Sequence, residues 1–126
     1  MTEKQIEEFE KHERQVQSIL REMSVLSDKK PHDKINEFKL THINNTLRGL
    51  NSLLEGSRPL PEFEHFDKDS LPSNSDVVFV LAQYTDAVYD FRDWHTEFSD
   101  GKYRWILHGN KKVVTESPSR FRYVRK

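Results

Sequence analysis

The chain has no cysteine among its 126 residues. This absence excludes disulfide bonds, thiolate metal sites and cysteine nucleophiles, and it is compatible with a reducing compartment. The longest uninterrupted apolar run is six residues, 77–82, whereas a membrane-spanning helix needs about 20. The N-terminal stretch MTEKQIEEFEKHE is acidic and polar, unlike a secretory signal. We therefore expect a cytoplasmic protein without a membrane span.

Sequence motifs of the common enzyme classes are also missing. No GxxxxGK[ST], GxGxxG, GxSxG or HExxH pattern occurs. The tripeptide His95-Thr96-Glu97 matches the H-x-E of zinc deaminases, but that chemistry needs two later cysteines. We therefore expect neither an enzyme nor a bound metal or other cofactor. If the chain were an enzyme, its best candidate residues would be Asp90, Asp93, His95 and Glu97.

The chain is rich in charged and aromatic side chains. Charged residues make up 33% of it and apolar residues 34%. Eight Phe, four Tyr and two Trp argue against a disordered chain, because disordered segments are poor in aromatics. A length of 126 residues is near the usual size of one domain. We therefore expect a single folded domain over residues 1–126.

Three stretches have the apolar spacing of amphipathic helices. They cover about residues 3–26, 32–55 and 74–98. The connection between the first two is short, so these helices are expected to pack as an antiparallel hairpin.

Residues at the ends of these stretches suit helix boundaries. Thr2 and Ser73 are candidate N-caps for the first and third helices, and Gly56 is placed to end the second. The segment 57–73 holds three of the five prolines but also several large apolar side chains. It is therefore predicted to be an extended connector that covers part of the core.

The third helix carries the most regular apolar stripe. Its members recur at alternating intervals of three and four residues, which is the spacing of a coiled coil. This regularity suggests self-association of two copies, a homodimer, along one seam. The predicted seam consists of Leu81, Tyr84, Val88, Phe91 and His95.

An acidic row follows the stripe, each member two positions after a stripe residue. Because each residue advances a helix by about 100°, the row points away from the stripe. Three interpretations stay open: a solvated helix face, a docking face for a basic partner, and a carboxylate metal site. The row consists of Asp86, Asp90, Asp93 and Glu97.

Charge is unevenly distributed along the chain. Residues 102–126 carry eight Lys or Arg and one Glu, a formal charge of +7, and the first 101 residues stand at −8. Basic and aromatic residues alternate in this part, so in strands they would lie on opposite faces. The basic face is solvated, or binds nucleic-acid phosphates, or pairs with a protein or with the chain's own acidic row. The candidate binding residues are Arg104, Lys111, Lys112, Arg120, Arg122 and Arg125.

The same part of the chain has the composition of β-strands, over about residues 102–125. A two-residue hairpin signal at residues 109–110 predicts that Trp105 lies opposite Val114. The run after residue 118 is predicted to be a further short strand. The predicted fold class is therefore α+β: three helices, the first two a hairpin, followed by a small antiparallel β-hairpin or three-stranded sheet.

These features predict a small non-enzymatic interaction protein, such as an adaptor, inhibitor or regulator. Its charge-polarised surface would orient and speed the docking of another protein. The alternative hypothesis is a nucleic-acid-binding protein that uses the basic C-terminal β-hairpin.

Overall fold

The computed structural model describes residues 1–107 and 111–115. The strands form an antiparallel sheet in the order β1-β2-β3. The predicted α+β class, with three helices followed by a C-terminal sheet, is therefore confirmed. The strand predicted after residue 118 lies outside the described residues. The elements are α1 (Glu3–Lys29), α2 (Glu37–Leu54), a 3₁₀ helix (Glu55–Ser57), α3 (Asn74–His95), β1 (Thr96–Ser99), β2 (Lys102–Ile106) and β3 (Lys112–Thr115).

α1 and α3 each begin with an N-cap residue that the sequence predicts. Thr2 accepts a hydrogen bond from the backbone N–H of Gln5 at 3.1 Å, and the Gln5 side chain accepts one from the Thr2 N–H at 2.9 Å. Ser73 likewise accepts a hydrogen bond from the N–H of Asp76 at 3.2 Å. These bonds satisfy N–H groups that the first helical turn leaves without a partner. Both predicted N-caps are therefore confirmed.

α2 begins at Glu37, later than the predicted residue 32. Its N-cap is Asn36, whose side chain accepts a hydrogen bond from the N–H of Lys39 at 2.8 Å. The residues before Asn36 pair with the segment that leads into α3, where the N–H of Ile35 donates to the Pro72 carbonyl at 3.0 Å. This backbone pairing takes the place of the predicted first helical turn.

The end of α2 also differs from the prediction. Glu55, and not Gly56, has a positive φ, of 47°. The chain then makes a short 3₁₀ turn, in which the N–H of Arg58 donates to the Glu55 carbonyl at 3.2 Å. Gly56 is therefore not the residue whose backbone freedom ends the helix.

α3 ends at His95, and the residues predicted to form its last turn are strand β1. Asp100 and Gly101 form the two-residue turn between β1 and β2, with φ values of 52° and 76°. Positive φ at both positions is the signature of a type I′ hairpin turn, for which Asp-Gly is a preferred sequence. Pairing with β2 therefore replaces the continued helix.

The register of β2 and β3 differs by one residue from the prediction. Trp105 lies opposite Val113 and not Val114. The N–H of Leu107 donates to the carbonyl of Lys111 at 2.8 Å, which continues this pairing beyond Ile106 and Lys112. Because side chains alternate between the faces of a strand, this one-residue difference places Trp105 and Val113 together on the face toward the helices.

One hydrophobic core joins the three helices, β2 and the segment between α2 and α3. α1 packs against both other helices. Trp105 of β2 is fully buried, and its ring meets Phe9 of α1 edge-on at 5.3 Å between centroids. Phe9 in turn stacks on Phe91 of α3 at 5.0 Å. The sheet is therefore part of the same core as the helices.

The segment between α2 and α3 is held on the helices by a buried amide. Asn44 of α2 donates to the carbonyl of Phe66 at 3.0 Å and accepts from the N–H of Phe66 at 2.9 Å. This paired bond satisfies both backbone groups of a buried residue outside regular structure. Phe66 can therefore insert into the core.

Candidate functional site

The outer face of α3 carries most of the acidic row. Asp86, Asp90 and Asp93 are exposed on this helix. Glu97, the fourth predicted member, is not helical: it lies half-buried on β1 and forms an ion pair with Lys112 of β3. The helical part of the row is therefore three carboxylates, because α3 ends before Glu97.

Two exposed aromatic side chains accompany these carboxylates. Phe79 is 62% exposed and Trp94 is 85% exposed. Helical geometry places them about 60° apart around α3 and about 22 Å apart along it, with the carboxylates between them. Sequence reasoning missed both. The two-position spacing that turns the acids away from the stripe also applies to Phe79, but not to Trp94. We refer to Phe79, Asp86, Asp90, Asp93 and Trp94 as the acidic–aromatic face.

The predicted self-association seam lies inside the protein. Leu81, Tyr84 and Val88 are fully buried, and Phe91 is nearly so. Burial raises the pKa of the Tyr84 hydroxyl, which donates to the side chain of Asn51 at 2.6 Å. A second copy cannot pack on these side chains without opening the core. The regular stripe on α3 is therefore a core stripe.

His95, the last residue of the stripe, is half-buried at the end of α3. Its ring stacks on Phe91 with 4.0 Å between centroids, and its Nδ1 lies 2.8 Å from the Phe91 carbonyl oxygen. Because a carbonyl oxygen only accepts, Nδ1 carries the hydrogen. The ring is thus positioned by contacts within its own helix.

The basic β-hairpin is largely paired within the chain. Lys111 forms an ion pair with Glu3 at the start of α1, and Lys112 forms one with Glu97. Arg104 donates to the carbonyl of Ser99 at 2.7 Å. These cations thus meet acids or carbonyls near the sheet and not the three carboxylates of α3. Arg120, Arg122 and Arg125 lie outside the described residues.

A buried charge cluster that sequence reasoning missed lies between α1, α3 and the sheet. Arg92 of α3 is 3% exposed, and its Nε donates to Glu13 of α1 at 2.9 Å. Another guanidinium nitrogen donates to the hydroxyl of Thr115 on β3 at 2.6 Å. That hydroxyl donates to Glu10 at 2.6 Å, and the guanidinium lies over the Trp105 ring at 5.0 Å. Arg92 therefore contacts α1, β2 and β3 at once.

The cluster keeps Arg92 charged. Burial by itself lowers the pKa of an arginine, but hydrogen bonds to Glu13 and the negative charges of Glu13 and Glu10 outweigh burial and raise the pKa of Arg92 above its ordinary value. A permanently charged group held by two carboxylates has a positioning role, because it neither accepts nor releases protons near neutrality.

A weak signal of this cluster was present in the sequence. The apolar spacing of α1 is interrupted between Phe9 and Val16, where Glu13 lies on the buried side. Arg92 similarly follows the buried Val88 by one helical turn. Each interruption is a polar residue at a core position, and such residues are normally paired.

The residues named as candidates for catalysis lie on different elements, α3 and β1. Asp90 and Asp93 are exposed on α3, while His95 and Glu97 make the contacts given above. Over residues 1–107 and 111–115, no group of three His, Asp or Glu side chains could hold a metal ion. In the same part of the chain, no helix is both long enough and apolar enough to cross a membrane.

Comparison with known proteins gives no relative. No protein-family model matches the sequence, and neither a curated protein nor a solved structure shows significant similarity to it.

Proposed function

We propose that this protein is a non-enzymatic interaction module that binds a basic protein partner through the acidic–aromatic face of α3. The observation that supports this most is the exposure of Phe79 and Trp94 on the same side of a helix as three carboxylates. A cytoplasmic site of action is part of the proposal, since a cysteine-free chain is compatible with a reducing compartment.

The composition of this face resembles that of protein interfaces. Aromatic side chains are enriched at such interfaces and supply much of the binding free energy, and tryptophan is prominent among hot-spot residues. Leaving Trp94 and Phe79 in water is unfavourable, because each presents a large apolar area. The carboxylates between them would steer a basic partner into register. The opposite side of α3 is in the core, which keeps the face rigid.

Affinity capture with paired baits tests the proposal. Wild-type protein and a Phe79→Ala/Trp94→Ala variant are immobilised, and proteins retained from a lysate of the source cells are quantified. We expect a basic protein to be retained by the wild type and lost with the variant. For that protein, Trp94→Ala alone should raise the dissociation constant about 30-fold, since hot-spot truncation costs about 2 kcal/mol or more.

Phe38→Ala is the matched control, because Phe38 is 74% exposed but lies on α2. This variant should retain the basic partner with unchanged affinity. Equal retention of the same proteins by wild type and by Phe79→Ala/Trp94→Ala would contradict the proposal.

The alternative, nucleic-acid binding by the basic hairpin, is less well supported by the contacts of its cations. Lys111 and Lys112 are each paired with a glutamate of the same chain, so phosphate binding would have to break both pairs. Fluorescent DNA and RNA probes at about 50 and 200 mM salt separate the two functions. Steeply salt-dependent binding that is lost in Lys111→Glu/Lys112→Glu and unchanged in Phe79→Ala/Trp94→Ala would favour the alternative.

A further inference from the structure

A groove runs between α1 and α2. It has a polar compartment of about 660 Å³ and an apolar compartment of about 300 Å³, which share Ile19 and His42. The polar compartment includes Lys11 and Arg14 of α1, and the apolar one includes Phe38 of α2. The two are therefore neighbouring parts of one surface.

The side chains that line the groove are basic on balance. Lys11 and Arg14 line the polar compartment and Lys39 lines the apolar one, while Glu22 is the single acid among the lining residues of both. In the part of the chain that the structure describes, these three cations form no ion pair with a carboxylate. They differ in this from Lys111 of the hairpin, which pairs with an acid. An acidic ligand can therefore bind them without breaking existing pairs.

The apolar compartment exposes hydrophobic surface to water. Its floor includes Ile43 and Met23, and Phe38 stands at its rim with 74% of its surface exposed. The Phe38 ring meets the His42 ring edge-on at 4.7 Å between centroids. Covering Phe38 with an apolar group would remove this area from water.

The floor of the polar compartment includes the His12 side chain, which lies against the backbone of α2. A Cβ atom on Gly49 would lie 2.4 Å from His12 Nε2, so the imidazole fits against α2 only because position 49 has no side chain. His12 Nδ1 lies 3.1 Å from the side-chain oxygen of Gln15, which also accepts a hydrogen bond from Thr46 at 3.4 Å. His12 and Gln15 are thus held in place by contacts within the protein.

The shape of the groove favours a helix over a compact ligand. Its lining extends along α1 from Lys11 to Leu26, which is about 22 Å at about 1.5 Å per residue. Small molecules are usually bound in enclosed cavities. An open groove between two antiparallel helices instead suits a third helix, which contributes an apolar stripe with polar flanks.

We propose that the α1–α2 groove binds an acidic amphipathic helix of a partner protein. The apolar stripe of this helix packs on Ile19, Leu26 and Phe38, and its carboxylates face Lys11, Arg14 and Lys39. The surface shares no residue with the acidic–aromatic face. The inference therefore does not depend on the proposed function, and the two can fail separately.

A synthetic helix provides the test. The probe is a fluorescein-labelled peptide of about 15 residues, long enough to span the groove, with leucines on one face and glutamates on the others. We expect its fluorescence anisotropy to saturate at micromolar concentrations of the full chain. Arg14→Glu/Lys39→Glu and, separately, Phe38→Ala should each weaken binding at least about tenfold. All three substituted residues are exposed, so both variants should keep the wild-type far-UV circular dichroism.

Three controls test the specificity of this binding. Lys68→Glu makes the charge change of one of the two groove substitutions, at an exposed residue outside the groove, and should leave binding unchanged. A peptide with lysines in place of the glutamates should bind at least about tenfold more weakly. Phe79→Ala/Trp94→Ala should bind the acidic peptide as the wild type does, which separates this surface from the face on α3.

Three results would overturn the inference. The first is no binding of the acidic peptide at about 1 mM wild-type protein. The second is equal weakening by Lys68→Glu and by the groove variants. The third is a wild-type dimer in sedimentation that Phe38→Ala converts to a monomer, which would assign the groove to a second copy of this chain.

Discussion

Arg92 contacts both the helices and the sheet. It donates to Glu13 of α1 at 2.9 Å and to Thr115 of β3 at 2.6 Å. Its guanidinium also lies over the Trp105 ring of β2. A planar group with five N–H donors suits such a position, because it can bind several acceptors at fixed angles.

Removing this cation should be far more costly than removing an exposed one. Arg92→Met leaves Glu13 buried without its partner, and we expect the free energy of unfolding to fall by about 3–5 kcal/mol. Arg92→Met/Glu13→Leu should recover most of the loss, since no buried charge then remains unpaired. Urea denaturation followed by circular dichroism measures both.

The matched control is Arg48→Met, at an exposed arginine of α2. It should change the free energy of unfolding by no more than about 0.5 kcal/mol. A similar cost for Arg48→Met and Arg92→Met would show that the buried cluster adds nothing to stability.

The partners of Arg92 show where sequence reasoning reaches its limit at the residue scale. The polar interruption at Glu13 was visible as a weak point in the α1 stripe. Its partner lies 79 positions away, and no local pattern connects the two. Such a pair becomes recognisable only once the packing of α1 on α3 is known.

At the scale of helices and strands, short cap and turn motifs predicted element boundaries better than apolar spacing did. The N-caps Thr2 and Ser73 could be predicted because a cap needs only the few residues that follow it. The spacing that extended α3 through Phe98 was misleading, since Phe98 is on β1 and 61% exposed. The stronger local signal was Asp100-Gly101, whose preference for a hairpin turn outweighs one more turn of helix.

The turn between β1 and β2 depends on a glycine. Gly101 has a φ of 76°, where a residue with a Cβ atom is strained. We expect Gly101→Ala to lower the free energy of unfolding by about 1–2 kcal/mol, measured by urea denaturation.

Gly56→Ala is the control for this substitution. Gly56 has no positive φ, and a Cβ atom there meets nothing within 4 Å. We expect it to be neutral or to stabilise by up to about 1 kcal/mol, because alanine restricts the unfolded chain more than glycine does. Equal costs at the two positions would mean that the left-handed turn is not what Gly101 provides.

At the scale of the whole molecule, the basic and acidic parts of the sequence meet in space within residues 1–107 and 111–115. The hairpin's Lys111 pairs with Glu3 at the other end of the chain. The three carboxylates on α3 could be predicted from spacing. The basic groove could not, because Lys11, Arg14 and Lys39 become neighbours only when α1 packs on α2.

Because the sheet shares a core with the helices, we expect both to unfold together. Trp94→Phe leaves Trp105, fully buried on β2, as the sole tryptophan. In this variant, Trp105 fluorescence reports on the sheet and far-UV circular dichroism on the helices. The two midpoints in urea should coincide, as in a two-state transition. An earlier fluorescence midpoint would instead mean that the sheet opens independently of the helices.

The position of Trp105 beneath α1 also has a consequence for synthesis on the ribosome. Phe9 is translated long before the tryptophan that covers it, by about 5–20 s at bacterial to eukaryotic elongation rates. During that time α1 can pair with α2, but its face toward α3 and β2 stays open to solvent or to a chaperone. The nascent chain therefore closes its core only when nearly all of the described residues have been made.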